Sequence, residues 1–219
     1  MIVLGCCCIL AAAALYAYNA AQSAKAGESS AALTAQIETL ITQQSDAPKE
    51  TEAGKEESSE TDAALDAAKK SGGTETAAAE TASDAEAGAA KSVSVGGYDA
   101  VGVLSIPALS LQLPILRDWS YDNLKIAPCR YSGTPDGKMI ILGHNYIQHF
   151  ARLHNLKAGD EVTFTAVDGT VARYTVLRLE TRDADELNEI ITGTDWDLTL
   201  FTCTYSGNRR VVVRCVREK

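Results

Sequence analysis

Hydrophobic positions along the chain fall into three regimes. Residues 2–18, IVLGCCCILAAAALYAY, hold no charge and are almost wholly apolar, at the short end of what crosses a bilayer as a helix. No basic residues precede this run, which argues against a cleaved signal peptide, and VLGC at 3–6 matches a lipidation box only loosely. An uncleaved N-terminal membrane anchor is therefore expected over 1–20. In SSAALTAQIETLITQQ (29–44), Leu33, Ile37, Leu40 and Ile41 share one helical face, predicting a short juxtamembrane helix with Ser29 or Ser30 as its N-cap. From Ser45 to Ser94 there is no aromatic residue, and Leu65 is the one large aliphatic before the valines at 93 and 95. Such a segment cannot bury enough apolar area to offset its ordering entropy, so 21–95 reads as a helix followed by an extended, disordered spacer.

The third regime, residues 96–219, has short apolar runs separated by turn signals. VGVLSIPALSLQLPIL (101–116) reads as two strands broken at Pro107, and KMIILG (138–143) as a buried strand. EVTFTAVDGTVARYTVLRLET (161–181) is a hairpin turning at Asp168-Gly169, and DLTLFTCTY with RRVVVRCV forms another. IQHFARLHNL (147–156) and DADELNEIIT (183–192) carry helical spacing. Many short strands with one or two short helices predict a mostly β, closed antiparallel barrel.

Charge divides along the same boundary. Residues 21–95 carry 14 acidic and 6 basic side chains, a net of −8, and 96–219 carry 15 and 14. The acidity belongs to the spacer, and with no basic stripe on the folded part a nucleic-acid partner is not expected. Of six cysteines, Cys6, Cys7 and Cys8 lie in the apolar N-terminal run, leaving Cys129, Cys203 and Cys215. No Cys-x-x-Cys pair occurs, so no zinc site is expected, and no other metal or cofactor is called for. Cys129 and Cys215 either form a disulfide that leaves Cys203 free or stand as two buried thiols.

The chemistry concentrates in DLTLFTCTYSGNRRVVVRC (197–215). With Ser206-Gly207 as a two-residue turn, Cys203 directly faces Arg210 and Arg209 faces Thr204; a one-residue slip would overturn this pairing, and Gly207-Asn208 is the alternative turn. Beside a cation a thiol favours its nucleophilic thiolate form, and the same guanidinium can stabilise an oxyanion. The competing reading is a buried thiol and an exposed cross-strand charge. On the last strand, Val211, Val213 and Cys215 share the face opposite Arg210, Val212 and Arg214, which puts Cys215 on the core side if Arg210 faces the groove. Of three histidines, His144 ends a buried strand in MIILGHN, where a catalytic group gains rigid backing. His149 and His154 do not share a face as a metal pair would, and read as surface or partly packed residues of a helix.

LGHN, then TLFTC about sixty residues later, then an arginine opening the last apolar strand, resembles the sortase family of Gram-positive cell surfaces. The resemblance covers roughly 98–219. It implies an eight-stranded sortase β-barrel and a cysteine transpeptidase outside the cell, with His144, Cys203 and Arg210 as its catalytic set. Cys203 would attack the Thr–Gly carbonyl of an LPxTG-like sorting signal, His144 would exchange acid and base roles, and Arg210 would hold the carbonyl. Thr202 and Asn145, flanking the thiol and the imidazole, would help bind substrate. The acceptor amine would come from a peptidoglycan precursor or a pilin lysine. The absence of an Asp-Pro-aromatic lid triplet and the 59-residue gap from His144 to Cys203 imply a compact class A- or D-like enzyme. No acidic cluster matches the calcium site of some class A members. A hydrolase with the same residues, or a non-catalytic peptide-binding domain, are the other functions the chain could serve.

Overall fold

Alternation of buried and exposed side chains lays out the strands of the computed structural model, which describes residues 2–45 and 91–219. Most of the predicted spacer lies outside the described residues. The strands are β1 (Val93–Val95), β2 (Tyr98–Ile106), β3 (Leu111–Leu116), β4 (Cys129–Gly133), β5 (Met139–Leu142), β6 (Glu161–Ala166), β7 (Val171–Asp183), β8 (Leu198–Cys203) and β9 (Arg209–Arg217). Eight of them run in the order β2-β3-β4-β5-β8-β9-β7-β6, and β6 returns to pair with β2, closing a barrel. The short β1 pairs with the start of β2 outside that ring.

Pro107 breaks the first hairpin as expected, opening a 3-10 turn (Pro107–Leu109) between β2 and β3. The β6–β7 turn also sits where Asp168-Gly169 placed it. Gly169 takes a φ of 83° there, a left-handed conformation that a side chain disfavours.

The barrel is mixed, and this corrects the antiparallel expectation. β3 pairs parallel with β4, and β5 parallel with β8. Parallel neighbours need a crossover, and the chain supplies two. The β3–β4 connection carries α2 (Tyr121–Leu124). The β5–β8 connection carries a 3-10 helix (Ala151–Asn155), the β6–β7 hairpin and α3 (Leu187–Ile191). Both predicted helical stretches are thus shorter than their sequence spacing suggested.

Inside the barrel, Leu104, Ile115, Ile141, Phe164, Leu200 and Val213 form the core, all at most 1% exposed. A second apolar cluster lies on the outer wall. There Leu33 and Ile37 of α1 (Ile2–Ser45) pack with Val103, Leu116, Ala127 and Cys129. Burial of these two side chains stabilises the docked helix by roughly 1.5–3 kcal/mol each. The helix is thus longer than the short element expected at 29–44. Ser30 is buried within it and does not cap it, and Leu40 is left exposed. Residues 9–20 of the same helix are exposed. Among the described residues no helix is long and apolar enough to cross a membrane. Across the stretch 1–20, where a membrane anchor is expected, the chain is helical from Ile2 onward.

Candidate active site

Strand β8 ends on Cys203, and the β8–β9 pairing sets Cys203 opposite Arg210. The turn differs in detail from the expected two-residue loop: Gly207 N–H donates to the Thr204 carbonyl at 2.9 Å, and Gly207 has φ 77°. The register is the one that turn predicted. Along β8, Leu198 and Leu200 point into the core, so Phe201 and Cys203 face outward. Cys203 is exposed.

The other two barrel cysteines are separated by the wall. Cys215 points into the core, as the β9 alternation predicted, whereas Cys129 lies outside under α1. Both are free thiols, and burial pushes each up to about 12, where a protonated thiol is inert. The disulfide alternative is thereby set aside.

His144 follows β5, the parallel neighbour of β8, so one end of the sheet presents both residues. Gly143 precedes it for a steric reason. A Cβ there would lie 2.5 Å from the ring of buried Phe150. The Asn145 N–H donates to His144 Nδ1 at 3.0 Å, so in the neutral ring the proton sits on Nε2. The Asn145 side-chain amide donates to the Thr204 carbonyl at 3.2 Å, tying the histidine loop to the residue after Cys203. Half-burial, and secondarily the charge of Lys125, lower the His144 pKa below its ordinary value. The Tyr146 ring stacks on the imidazole with centroids 4.1 Å apart and planes 12° apart.

Thr202 is 3% exposed, and its hydroxyl donates to the Gly143 carbonyl at 2.8 Å. It faces away from Cys203 and braces the two strands that carry the site. Arg210 Nη1 donates to the Gly207 and Arg209 carbonyls at 2.9 and 3.1 Å. Its Nε and Nη2 are left uncommitted among the described residues. Arg209 is held by Asp183 at 3.0 Å, and Arg182, the β7 neighbour of Arg210, by Glu180 and Glu189. Arg210 is therefore the cation of this group without a carboxylate partner among the described residues.

A cavity of about 800 Å³ joins His144, Asn145, Cys203 and Thr204, a volume suited to a peptide segment. Its far wall is α1, through Tyr16 and Asn19. His154 also lines it, exposed, whereas His149 is 0% exposed. This corrects the reading of His149 as a surface or partly packed residue. Neither the α1 wall nor Tyr146 was legible in the sequence, since no motif or periodicity links residue 16 to residue 203. No cluster of metal-ligating side chains occurs among the described residues.

The comparisons agree with this geometry. The chain is similar to a Clostridium perfringens sortase C determined with its C-terminal cell wall sorting motif (28% identity, 55% of this chain and 71% of that one, TM-score 0.50). It is also similar to a pilus-related sortase C of Group B Streptococcus (25%, 55% and 68%, TM-score 0.50). A C. perfringens sortase D5 transpeptidase shares the fold at 19% identity, over 55% and 80% of the two chains, TM-score 0.50. Both of these structures at 25% identity or more are sortases of class C, whereas the expectation was a class A- or D-like enzyme. No curated protein matches. The sortase domain family model matches residues 104–218, more than half of the chain and all of the strands that carry His144, Cys203 and Arg210; the chain belongs to the sortase family.

Proposed function

We propose that this cysteine transpeptidase is tethered to the cell membrane by its N-terminal helix, cleaves an LPxTG-like sorting signal between Thr and Gly, and transfers the product to an amine. The observation that carries the reading is Cys203 at a strand end, exposed, opposite Arg210 and in one cavity with His144. The tether is supported by the uncharged run at 2–18 and by the exposure of Ile9, Leu10 and Leu15 on α1.

The Cys203 thiol proton passes to His144 Nδ1, the basic nitrogen of the neutral ring, which gives up its contact with the Asn145 N–H to take it, and the Cys203 sulfur attacks the threonine carbonyl carbon. The uncommitted N–H groups of Arg210 suit the oxyanion that develops. Collapse breaks the Thr–Gly bond, the imidazolium protonates the departing glycine nitrogen, and a thioester remains on Cys203. An incoming amine gives its proton to His144, attacks the thioester and releases the thiol. Thr202 acts as a brace between strands in this reading, and Asn145 holds the Nδ1 side of the imidazole. The similarity to a pilus-related enzyme favours a pilin lysine as the acceptor over a cell-wall precursor.

The test is product analysis after incubating the full chain with an LPxTG-type peptide and either a lysine-bearing pilin peptide or a cell-wall stem peptide. Joined product with the pilin peptide, absent in Cys203→Ala, is expected. Cleaved peptide alone, with either amine in excess, would favour hydrolysis over transfer.

A further inference from the structure

The loop that carries His144 is bound to α1 by a polar contact that the reaction itself does not use. His149 lies five residues beyond His144 and is 0% exposed. Its Nε2 sits 3.1 Å from the Ser30 Oγ. The Ser30 hydroxyl has one proton, which it donates to the Ile126 carbonyl at 2.8 Å. With its proton on Ile126, Ser30 accepts from the Nε2–H of His149, and burial, which holds the pKa of this ring down to about 4, keeps it neutral. The opposite nitrogen, Nδ1, is buried with no partner. An unsatisfied buried acceptor costs about 1–3 kcal/mol, a cost that an apolar side chain of similar size would avoid. Packing alone does not account for a histidine here.

The contact reaches the active site through one ring. Tyr146 stacks on His144 at 4.1 Å, and its other neighbour is His149, with centroids 5.6 Å apart. The main chain closes the same loop: His149 N–H donates to the Tyr146 carbonyl at 2.9 Å, and Phe150 N–H to the His144 carbonyl at 3.2 Å. A turn of α1 before Ser30, Gly27 lets the helix approach closely. A Cβ there would meet Gln148 Cγ at 2.8 Å. Farther back on the helix, Asn19 and Ser23 wall the cavity that holds Cys203.

We propose that Ser30 is a positioning residue for the reaction, holding α1 against the catalytic loop through His149 so that Tyr146 and His144 keep their stacked geometry. The inference rests on His144 acting as the acid–base group. It gives the N-terminal helix a part in the chemistry, beyond any tether.

The chain has three histidines, so ring-labelled protein gives three signals to follow by NMR in the full chain. In Ser30→Ala, and independently in Gly27→Leu, the His144 titration midpoint should rise toward that of an exposed imidazole as the loop loosens. kcat for an LPxTG-type peptide should fall about 10-fold, with KM within about two-fold, because a small misplacement of the acid–base group is costly. Ser30→Thr, which keeps the hydroxyl, should restore both. Glu38→Gln, which alters the contact of the same helix with Gln112 on β3, should change neither. A Ser30→Ala protein in which only the His149 signal moves, with His144 titration and kcat as in the wild type, would overturn the inference. The titration is read without substrate, so failure of the peptide reaction would count against the sorting-signal reading and leave the positioning result standing.

Discussion

The Thr202 hydroxyl donates to the Gly143 carbonyl at 2.8 Å, so the residues just before Cys203 and just before His144 are bonded to each other. Gly143 N–H in turn donates to the Phe201 carbonyl at 3.1 Å. Two strands separated by more than fifty residues of crossover are thereby locked at the point where the nucleophile and the histidine emerge. The lock is buried, which makes it sensitive to the loss of a single atom.

Thr202→Val keeps the shape of the side chain and removes the donor. The buried Gly143 carbonyl then loses this partner, at a cost of about 1–3 kcal/mol in stability. kcat should fall with it, and Thr202→Ser should recover most of both. Denaturant unfolding beside steady-state kinetics checks the pair.

The two adjacent arginines should behave very differently. Arg210 shares its face with Cys203 and has no carboxylate partner among the described residues, whereas Arg209 is committed to Asp183 at 3.0 Å. Arg210→Ala should lower kcat by about 10²–10³-fold, the usual loss for one oxyanion donor, and Arg209→Ala by no more than about three-fold. Rates of acyl-enzyme formation separate the two.

His149 makes stability depend on pH. Burial holds its pKa down to about 4, whereas the unfolded chain titrates near ~6.5. Between these values the unfolded state binds more protons, so stability is fully present above about 6.5 and is lost as pH falls toward 4. The loss attributable to this ring is on the order of 3 kcal/mol. The fall in unfolding free energy from pH 7 to pH 4.5 should therefore be smaller in His149→Asn than in the wild type, measured by denaturant titration at each pH.

Docking of α1 rests on few large side chains, of which Ile37 is 0% exposed. Ile37→Ala should destabilise the docked helix by about 2–5 kcal/mol. Hydrogen exchange should show residues 23–41 losing protection while the barrel strands keep theirs.

What the sequence made legible follows from range. The Cys203–Arg210 register was readable because one short turn fixes it. The inward face of Val213 and Cys215 was readable because a strand alternates with period two. The parallel partnership of β5 and β8 was not, since the intervening chain carries a complete hairpin and nothing local distinguishes which strand lies beside which. The Ser30–His149 contact joins residues 119 apart through a hydroxyl with no pattern around it. The stretch 29–44 showed an apolar face, and Leu33 and Ile37 do bury it, but the sequence held no sign that the barrel wall was its partner. Reading His149 from its helical spacing failed for a related reason. The residue precedes a short 3-10 helix in a loop covered by α1, so the solvent expected on its face is replaced by Ser30 and Ala26.

The most direct measurement is the intact mass of the full chain after incubation with an LPxTG-type peptide, beside Cys203→Ala. The account predicts an increase equal to the peptide acyl group on the wild type alone, removed by hydroxylamine as a thioester is. An unchanged wild-type mass across a varied set of sorting peptides, or an equal increase on Cys203→Ala, would contradict it.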